Sequence, residues 1–271
     1  MRVALMPGLS LAFSLSLALS SALSLALALF ASSAQAVDCR NESYAGNRYT
    51  LCEVDATSED LRLFLRDATG AVLGHFSTID RALETEGKVL AFATNAGMYH
   101  TDRAPVGLYL EDGVQEMRLV TTPGPGNFGL LPNGVFCLRQ GRADVIETLR
   151  FEASAPACTG ATQSGPMLVI DGALHPRFLQ DSSSRYIRNG VGTSADGRRV
   201  VFAISRNTVN FHAFGSLFRD HLKLPNALYF DGNISRLHAP QLGRSDAGFM
   251  MGPVIGVVED TEQATTDALR N

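Results

Sequence analysis

Between Arg2 and Asp38 the chain carries no ionisable side chain. Leu, Ala and Ser fill the gap from Val3 to about Ser33, and it closes on Ala34-Gln35-Ala36. A basic start, an apolar middle and an A-x-A exit mark residues 1–36 as a secretory signal peptide, cleaved after Ala36. An uncleaved anchor is the rival, because the apolar run could span a bilayer. The frequent serines and the A-x-A exit favour cleavage. Cys39 is a poor lipid anchor, since Val37-Asp38 is a weak approach to a lipidated cysteine. Cleavage takes 36 of 271 residues and leaves 235 to fold, with the formal net charge moving from −4 to −5 as Arg2 is lost. The expected protein is exported, periplasmic or secreted, with no stable membrane insertion after cleavage.

Export sets how the cysteines read. Cys39, Cys52, Cys137 and Cys158 all follow the leader, and an even number in an oxidising compartment implies two disulfides. Three pairings exist. Cys39–Cys52 and Cys137–Cys158 close the shortest loops at the least entropic cost. The acidic net charge argues against a nucleic-acid partner.

Strand signals dominate the rest. Arg48–Asp55 and Leu61–Arg66 alternate apolar with polar, the period of a half-buried strand. Val89–Thr94, Met167–Ile170, Val200–Ile204 and Ala227–Phe230 are almost wholly apolar, as for strands covered on both faces. Asp112-Gly113 between two strand patterns is a hairpin signal. Asp171-Gly172 and Asp196-Gly197 repeat it. Ser77–Glu86 reads as a helix, capped by Ser77 or Thr78 and stopped by Gly87. Phe211, Phe214, Leu217, Phe218 and Leu222 form the apolar face of a second helix. Without βαβ alternation or a linker, the expectation is a single α+β domain over 37–259. It has a mixed or antiparallel sheet core with a few flanking helices, and a polar tail over 260–271.

Several catalytic signatures are missing: there is no G-x-S-x-G elbow, no Walker loop and no H-E-x-x-H. Polar clusters stand instead at the ends of apolar strands: Thr94–Tyr99, Ser164–Pro166, Arg188–Gly192, Ser205–Asn207 and Asp231–Ser235. Strand ends hold polar groups rigidly while letting them reach solvent, which suits a binding site. Asn95 and Asp231 are the least comfortable as turns, because each directly follows a nearly continuous apolar strand. Arg188 reads either as a solvated strand residue or as a guanidinium fork for phosphate.

In this order, the segments N-A-G-M-Y (95–99), P-V-G-L (105–108), G-P-M-L-V (165–169), R-N-G-V-G (188–192) and F-D-G-N-I-S (230–235) resemble the phosphodiester glycosidase family. The likeness spans roughly 48–258. It implies hydrolysis of a sugar-1-phosphodiester, small or polymeric, to free sugar and a phosphate monoester. By the resemblance, Asn95 and Gly97 match the family's Asn-Gly-Gly-type loop. Arg188 matches its arginine before glycine, and Asp231, Gly232 and Ser235 match its Asp-Gly-Gly-x-Ser-type loop. Ala96 stands where many members have glycine, and Asn233-Ile234 interrupts the usual glycine run.

The expected catalytic residues are Asp231, as general base or electrostatic stabiliser, with Arg188 on the phosphate and Asn95 adding a donor. Gly97, Tyr99, Gly165, Ser205, Gly232, Ser235 and the second carboxylate Asp171 are expected to contact substrate. No cofactor or metal is expected. The alternative is a non-catalytic exported carbohydrate- or phosphoglycan-binding or envelope-assembly protein of the same fold, motivated by Asn233-Ile234. A third reading is metal-assisted hydrolysis by Asp171, Asp231 and a histidine.

Overall fold

The computed structural model describes residues 37–262 and 264. The leader expected over 1–36 and most of the expected tail lie outside them. In chain order the elements are β1 (Asp38–Tyr44), β2 (Asn47–Asp55), β3 (Asp60–Phe64), α1 (Phe76–Leu83), β4 (Lys88–Asn95), β5 (Tyr109–Glu111) and β6 (Val114–Met117). Next come β7 (Gly134–Arg139), β8 (Arg142–Glu147), α2 (Thr148–Ser154), β9 (Gly160–Ser164), β10 (Met167–Ile170), β11 (Ala173–Leu174), β12 (Asn189–Thr193) and β13 (Arg199–Ser205). The chain then forms α3 (Phe211–Ser216), β14 (Asn226–Asp231), β15 (Leu237–Ala239), β16 (Arg244–Ser245) and β17 (Val254–Asp260).

These strands make three sheets: β1-β2-β13-β12-β14-β10-β11, β16-β15-β4-β17-β3 and β6-β5-β9-β7-β8. Their pairings are antiparallel. The fold class is α+β.

The sheets meet at a cluster of phenylalanines. Phe92 of β4 packs on Phe202 of β13 at 4.8 Å, and Phe136 of β7 sits edge-on to Phe202 at 5.9 Å and to Phe230 of β14 at 6.4 Å. One ring or more from each sheet thus enters a shared core, where aromatic side chains bury the most area. On its other face, the seven-stranded sheet is covered by Phe214, Leu217, Phe218 and Leu222. That double coverage is why β13 and β14 read as continuous apolar runs. The helix that carries these residues is α-helical only to Ser216 and continues as a π turn over Leu217–His221. Phe76, Ile79 and Leu83 of α1 cover β4 and β17 in the same way.

Local chemistry fixes the connections. Asp112-Gly113 and Asp171-Gly172 both adopt left-handed backbone in two-residue hairpins, the type I′ geometry. Helix α1 begins at Phe76 with His75 at the N-cap and no side-chain cap, so neither Ser77 nor Thr78 caps it. Burial of Phe76 anchors that start instead. Gly87 ends the following 3-10 turn in the left-handed region, as expected. Both disulfides form as the loop-closure argument favours, Cys39–Cys52 across the β1/β2 ladder and Cys137–Cys158. The C-terminal strand runs to Asp260, and the Thr261 N–H donates to the Gly87 carbonyl at 3.0 Å, so the ordered ladder extends past Glu259. Among the described residues no helix is long and apolar enough to cross a membrane.

Candidate active site

Antiparallel pairing gathers the polar clusters. Strand β12 starts where β13 and β14 end, so Asn189 faces both Ile204 and Asp231 across its two neighbours. Strand β4 brings Asn95 to the same place from another sheet. Asn189 then binds these ends together. Its amide nitrogen donates to Thr94 Oγ1 at 3.1 Å and to the Asn95 carbonyl and Oδ1, both at 3.0 Å. Its Oδ1 accepts the Asp231 N–H at 3.1 Å and the Ser235 hydroxyl at 3.4 Å. Asn95 Oδ1 also accepts the Arg236 N–H at 3.0 Å. Asn95 and Asn189 are fully buried, so each bond forms where water cannot compete for it.

A cavity of about 780 Å³ opens above this knot. Tyr99, His100 and Arg103 line it from the 98–106 loop, Asp231 and Gly232 from the end of β14, and Tyr186 and Phe249 from two further segments. The volume falls in the range of sites that enclose a small molecule.

Asp231 is the carboxylate of this cavity. Its Oδ1 accepts the N–H groups of Gly232 at 2.6 Å and Asn233 at 2.9 Å. Burial raises its pKa above the ordinary aspartate value, against the opposing effect of those N–H bonds. Neither Asp231 nor Gly232 adopts left-handed backbone, which separates this loop from the two Asp-Gly hairpins. Burial also raises the pKa of Tyr99, and the charge of Asp231, on the wall of the same cavity, adds to the rise.

The other expected residues divide by place. Tyr99, Gly232 and Asp231 line the cavity. Asn95 and Ser235 lie behind its wall and hold the 231–235 loop. Ser235 donates to the Ile187 carbonyl at 3.2 Å and the Asp231 carbonyl at 3.0 Å. Gly97 lies against Thr162, where a Cβ would make a tight 3.0 Å contact, and Gly165 lies against Asn133 and the Phe128 carbonyl, where a side chain would not fit. Ser205 is buried and accepts the Arg188 N–H at 2.9 Å.

Two expectations need correction. Asp171 lies outside the cavity, in an exposed hairpin turn, paired with Arg150 at 2.6 Å. Its N–H donates to Asn226 at the opposite end of β14 from Asp231, a span of about 17 Å at strand rise. The two carboxylates and a histidine therefore do not form one metal site. Arg188 is fully buried and does not line the cavity. Its Nε donates to the Val209 carbonyl at 2.9 Å and its Nη2 to the Ser184 carbonyl at 3.1 Å. The Phe211 ring lies 3.6 Å beneath the guanidinium, with Tyr186 and Tyr229 at 5.4 and 5.3 Å. Neither a solvated face nor an open phosphate fork describes it.

Three residues at or behind the cavity were missed in the sequence. Asn189 stands in the polar 188–192 cluster, where the sequence gives the role to its neighbour Arg188. His100 and Arg103 stood in a loop with no periodicity. Arg103 holds a positive φ of 74°, its guanidinium lies 5.4 Å from the Tyr99 ring centre, and its Nε is buried without a partner.

The sequence profile of the phosphodiester glycosidase family matches residues 88–239, more than half of the chain. The chain belongs to the phosphodiester glycosidase family. The matched span carries Asn95, Arg103, Asn189 and Asp231, and so the knot and much of the cavity wall. An Escherichia coli (strain K12) relative, the uncharacterized protein YigE, is 33% identical over 210 residues, covering 78% of this chain and 80% of its own. Among solved structures, the catalytic domain of zebrafish N-acetylglucosamine-1-phosphodiester alpha-N-acetylglucosaminidase, auto-inhibited by its pro-peptide, aligns with a TM-score of 0.57 at 14% identity. That alignment covers 82% of this chain and 81% of the zebrafish one. A putative exported protein of Burkholderia pseudomallei aligns with a TM-score of 0.51 at 11% identity, covering 78% and 74%. At such identities these two share the fold with this phosphodiester glycosidase-family chain.

Proposed function

We propose that the protein is an exported hydrolase that cleaves a sugar-1-phosphodiester at the anomeric carbon. The observation that carries this reading is the shared cavity: one carboxylate, Asp231, lines it together with His100 and Arg103. A sugar phosphodiester presents an anion beside an electrophilic carbon, and such a wall answers both. Arg103 offers only donors and a fixed positive charge, which suits a phosphoryl oxygen. Asp231 Oδ1 is engaged by backbone N–H groups, so Oδ2 is the oxygen that takes a proton from water. The water oxygen bonds to C1 while the C1–O bond to phosphorus breaks. The electron pair leaves with the phosphate monoester, which needs little acid assistance. The negative Asp231 and the tyrosine faces also favour the oxocarbenium character that builds on the ring.

Export is supported by the two disulfides, by the leader composition and by the exported Burkholderia neighbour. A sugar phosphodiester, small or polymeric, is the proposed partner. The test is release of sugar from a panel of sugar-1-phosphate methyl diesters. Wild-type protein is expected to release sugar, Asp231→Asn to lose at least a hundredfold in rate, and Arg103→Ala to lose affinity. Full activity in folded Asp231→Asn would remove the role.

One observation favours a second reading. Asn233 and Ile234 line the cavity where the family's usual glycines would leave more room. A carbohydrate-binding protein without turnover would show saturable calorimetric binding of the diester and no product.

A further inference from the structure

Six large apolar side chains are strongly exposed among the described residues, and three of them, Tyr186, Phe249 and Met250, line the cavity of Asp231. Single exposed apolar residues are ordinary on a protein surface, but three gathered at one opening mark a contact surface. Phe249 is the extreme case, with 79% of its surface in solvent.

Its backbone is nonetheless held on both sides. Gly248, at a φ of 144°, passes so close to the Arg236 guanidinium that a Cβ there would overlap it. Arg236 Nη1 donates to the Phe249 carbonyl. Met250 lies over Gly74, where a Cβ would overlap its Cγ, and the Met251 N–H donates to the Gly74 carbonyl at 2.8 Å. Met251 itself is fully buried. A ring carried on so anchored a segment and left in water gains nothing for folding. It gains by covering an apolar ligand group, and the fixed backbone lowers the ordering cost of that contact.

The same wall reaches the charged part of the cavity. Ile234 lines the cavity and packs on the cluster that holds Met251. The break in the family's glycine run at Asn233-Ile234 therefore adds an apolar group beside Met250. Tyr99 joins this wall to the cation: its ring lies against Gly252, and the Arg103 guanidinium stands 5.4 Å from the ring centre. From Gly252 to Phe249 is three residues, at most about 11 Å of chain. A sugar-1-phosphodiester has three parts. Asp231 serves the anomeric carbon and Arg103 the phosphate, which leaves the alcohol on the far side of phosphorus. Phe249, Met250 and Ile234 offer no hydrogen bond to the hydroxyls of a polar alcohol, whereas an alkyl or aryl group asks for none.

We propose that the site selects diesters in which the sugar-1-phosphate is esterified to an apolar alcohol. That alkyl or aryl group lies against Phe249, Met250 and Ile234, and Phe249 and Ile234 are the specificity-determining residues. The assignment rests on the hydrolase reading for the phosphate at Arg103, but binding measures it without turnover.

The experiment uses full-length mature protein and calorimetry with methyl phosphate, glycerol phosphate and octyl phosphate, the monoesters that the corresponding diesters would release. Each methylene taken from water is worth about fourfold in affinity. Octyl phosphate is therefore expected to bind about tenfold or more tighter than methyl phosphate, with a more negative heat-capacity change. Glycerol phosphate is expected to match methyl phosphate. Phe249→Ser combined with Ile234→Ala is expected to cut the octyl preference to about threefold or less. Phe249→Ser alone should lower the preference without lowering the melting temperature, because the ring is exposed. Leu179→Ser removes another strongly exposed apolar side chain, outside the cavity, and should keep the full preference. No measurable binding of octyl phosphate, a preference that survives the double substitution, or tighter binding of glycerol phosphate than of octyl phosphate would overturn the proposal. Hydrolysis of matched octyl and methyl sugar-1-phosphodiesters then separates the two readings. If the octyl preference and its loss hold while no diester is hydrolysed, the apolar wall stands and the hydrolase reading fails. If both diesters are hydrolysed with equal kcat/KM, the hydrolase reading stands and the apolar selection fails.

Discussion

Asn189 Oδ1 accepts the backbone N–H of Asp231 at 3.1 Å, so a buried amide sets the position of the cavity's carboxylate. The same side chain donates to Asn95 on another sheet. One residue therefore couples the packing of two sheets to the placement of one functional group.

Replacing Asn189 by Ala takes the acceptor from the half-buried Asp231 N–H and two donated bonds from Asn95, whose Oδ1 keeps only the Arg236 N–H. The expected cost is about 3 kcal/mol, or a fall of roughly 6–12 °C in melting temperature for a domain of this size. Calorimetric melting checks this. Activity should fall further than the loss of folded protein explains, because the 231–235 loop loses its anchor.

Gly232 leaves no room for a methyl group above Tyr229. Gly232→Ala is expected to lower both stability and activity. In the Tyr229→Phe background the clashing oxygen is gone, so the stability cost of Gly232→Ala should shrink by half or more. A full double-mutant cycle of melting temperatures reads this coupling directly.

Arg103 combines a cavity-facing cation with a left-handed backbone that costs an ordinary side chain about 1 kcal/mol. Arg103→Gly removes both. The melting temperature should hold or rise, while KM for a phosphodiester rises about tenfold or more as a charge-assisted contact is lost. Chemical denaturation and steady-state kinetics on one preparation separate the two effects.

Glu59 lies beside a second, smaller cavity of about 280 Å³, with Oε2 buried and unpartnered. Burial pushes its pKa up to about 8, from 4.5 in an unfolded chain. The folded state then holds a proton that the unfolded state releases, so this group favours folding below pH 4.5 and loses that contribution as pH rises toward 8. Glu59→Gln should flatten the fall in melting temperature between pH 5 and 8 and melt higher than wild type at pH 8.

Much of this architecture can be read from residue order, and the failures share a physical cause. Asp231 stands out because a carboxylate ending a continuous apolar strand has few structural uses, and the cavity forms there. The phenylalanine core follows from apolar runs without period two. Strand β1, with the polar sequence Asp-Cys-Arg-Asn-Glu-Ser-Tyr, carries no such pattern, since its burial is set by an edge position. Helix α2 is short and is capped by Glu147, whose carboxylate accepts the N–H groups of Leu149 and Arg150. Asn189 and Arg188 fail for a deeper reason. Their partners lie up to 95 residues away in the chain, and only the closed sheet order decides which side chain faces the core knot and which slides beneath the aromatic rings. Arg103 depends on a loop whose shape no periodicity announces.

The most direct measurement is hydrolysis of a sugar-1-phosphate methyl diester in ¹⁸O-labelled water, with the phosphate product analysed by mass spectrometry. Attack at the anomeric carbon, with Asp231 taking the proton from water, predicts a phosphate monoester free of label and no product from Asp231→Asn. Label in the phosphate, or undiminished product from a folded Asp231→Asn variant, would contradict it.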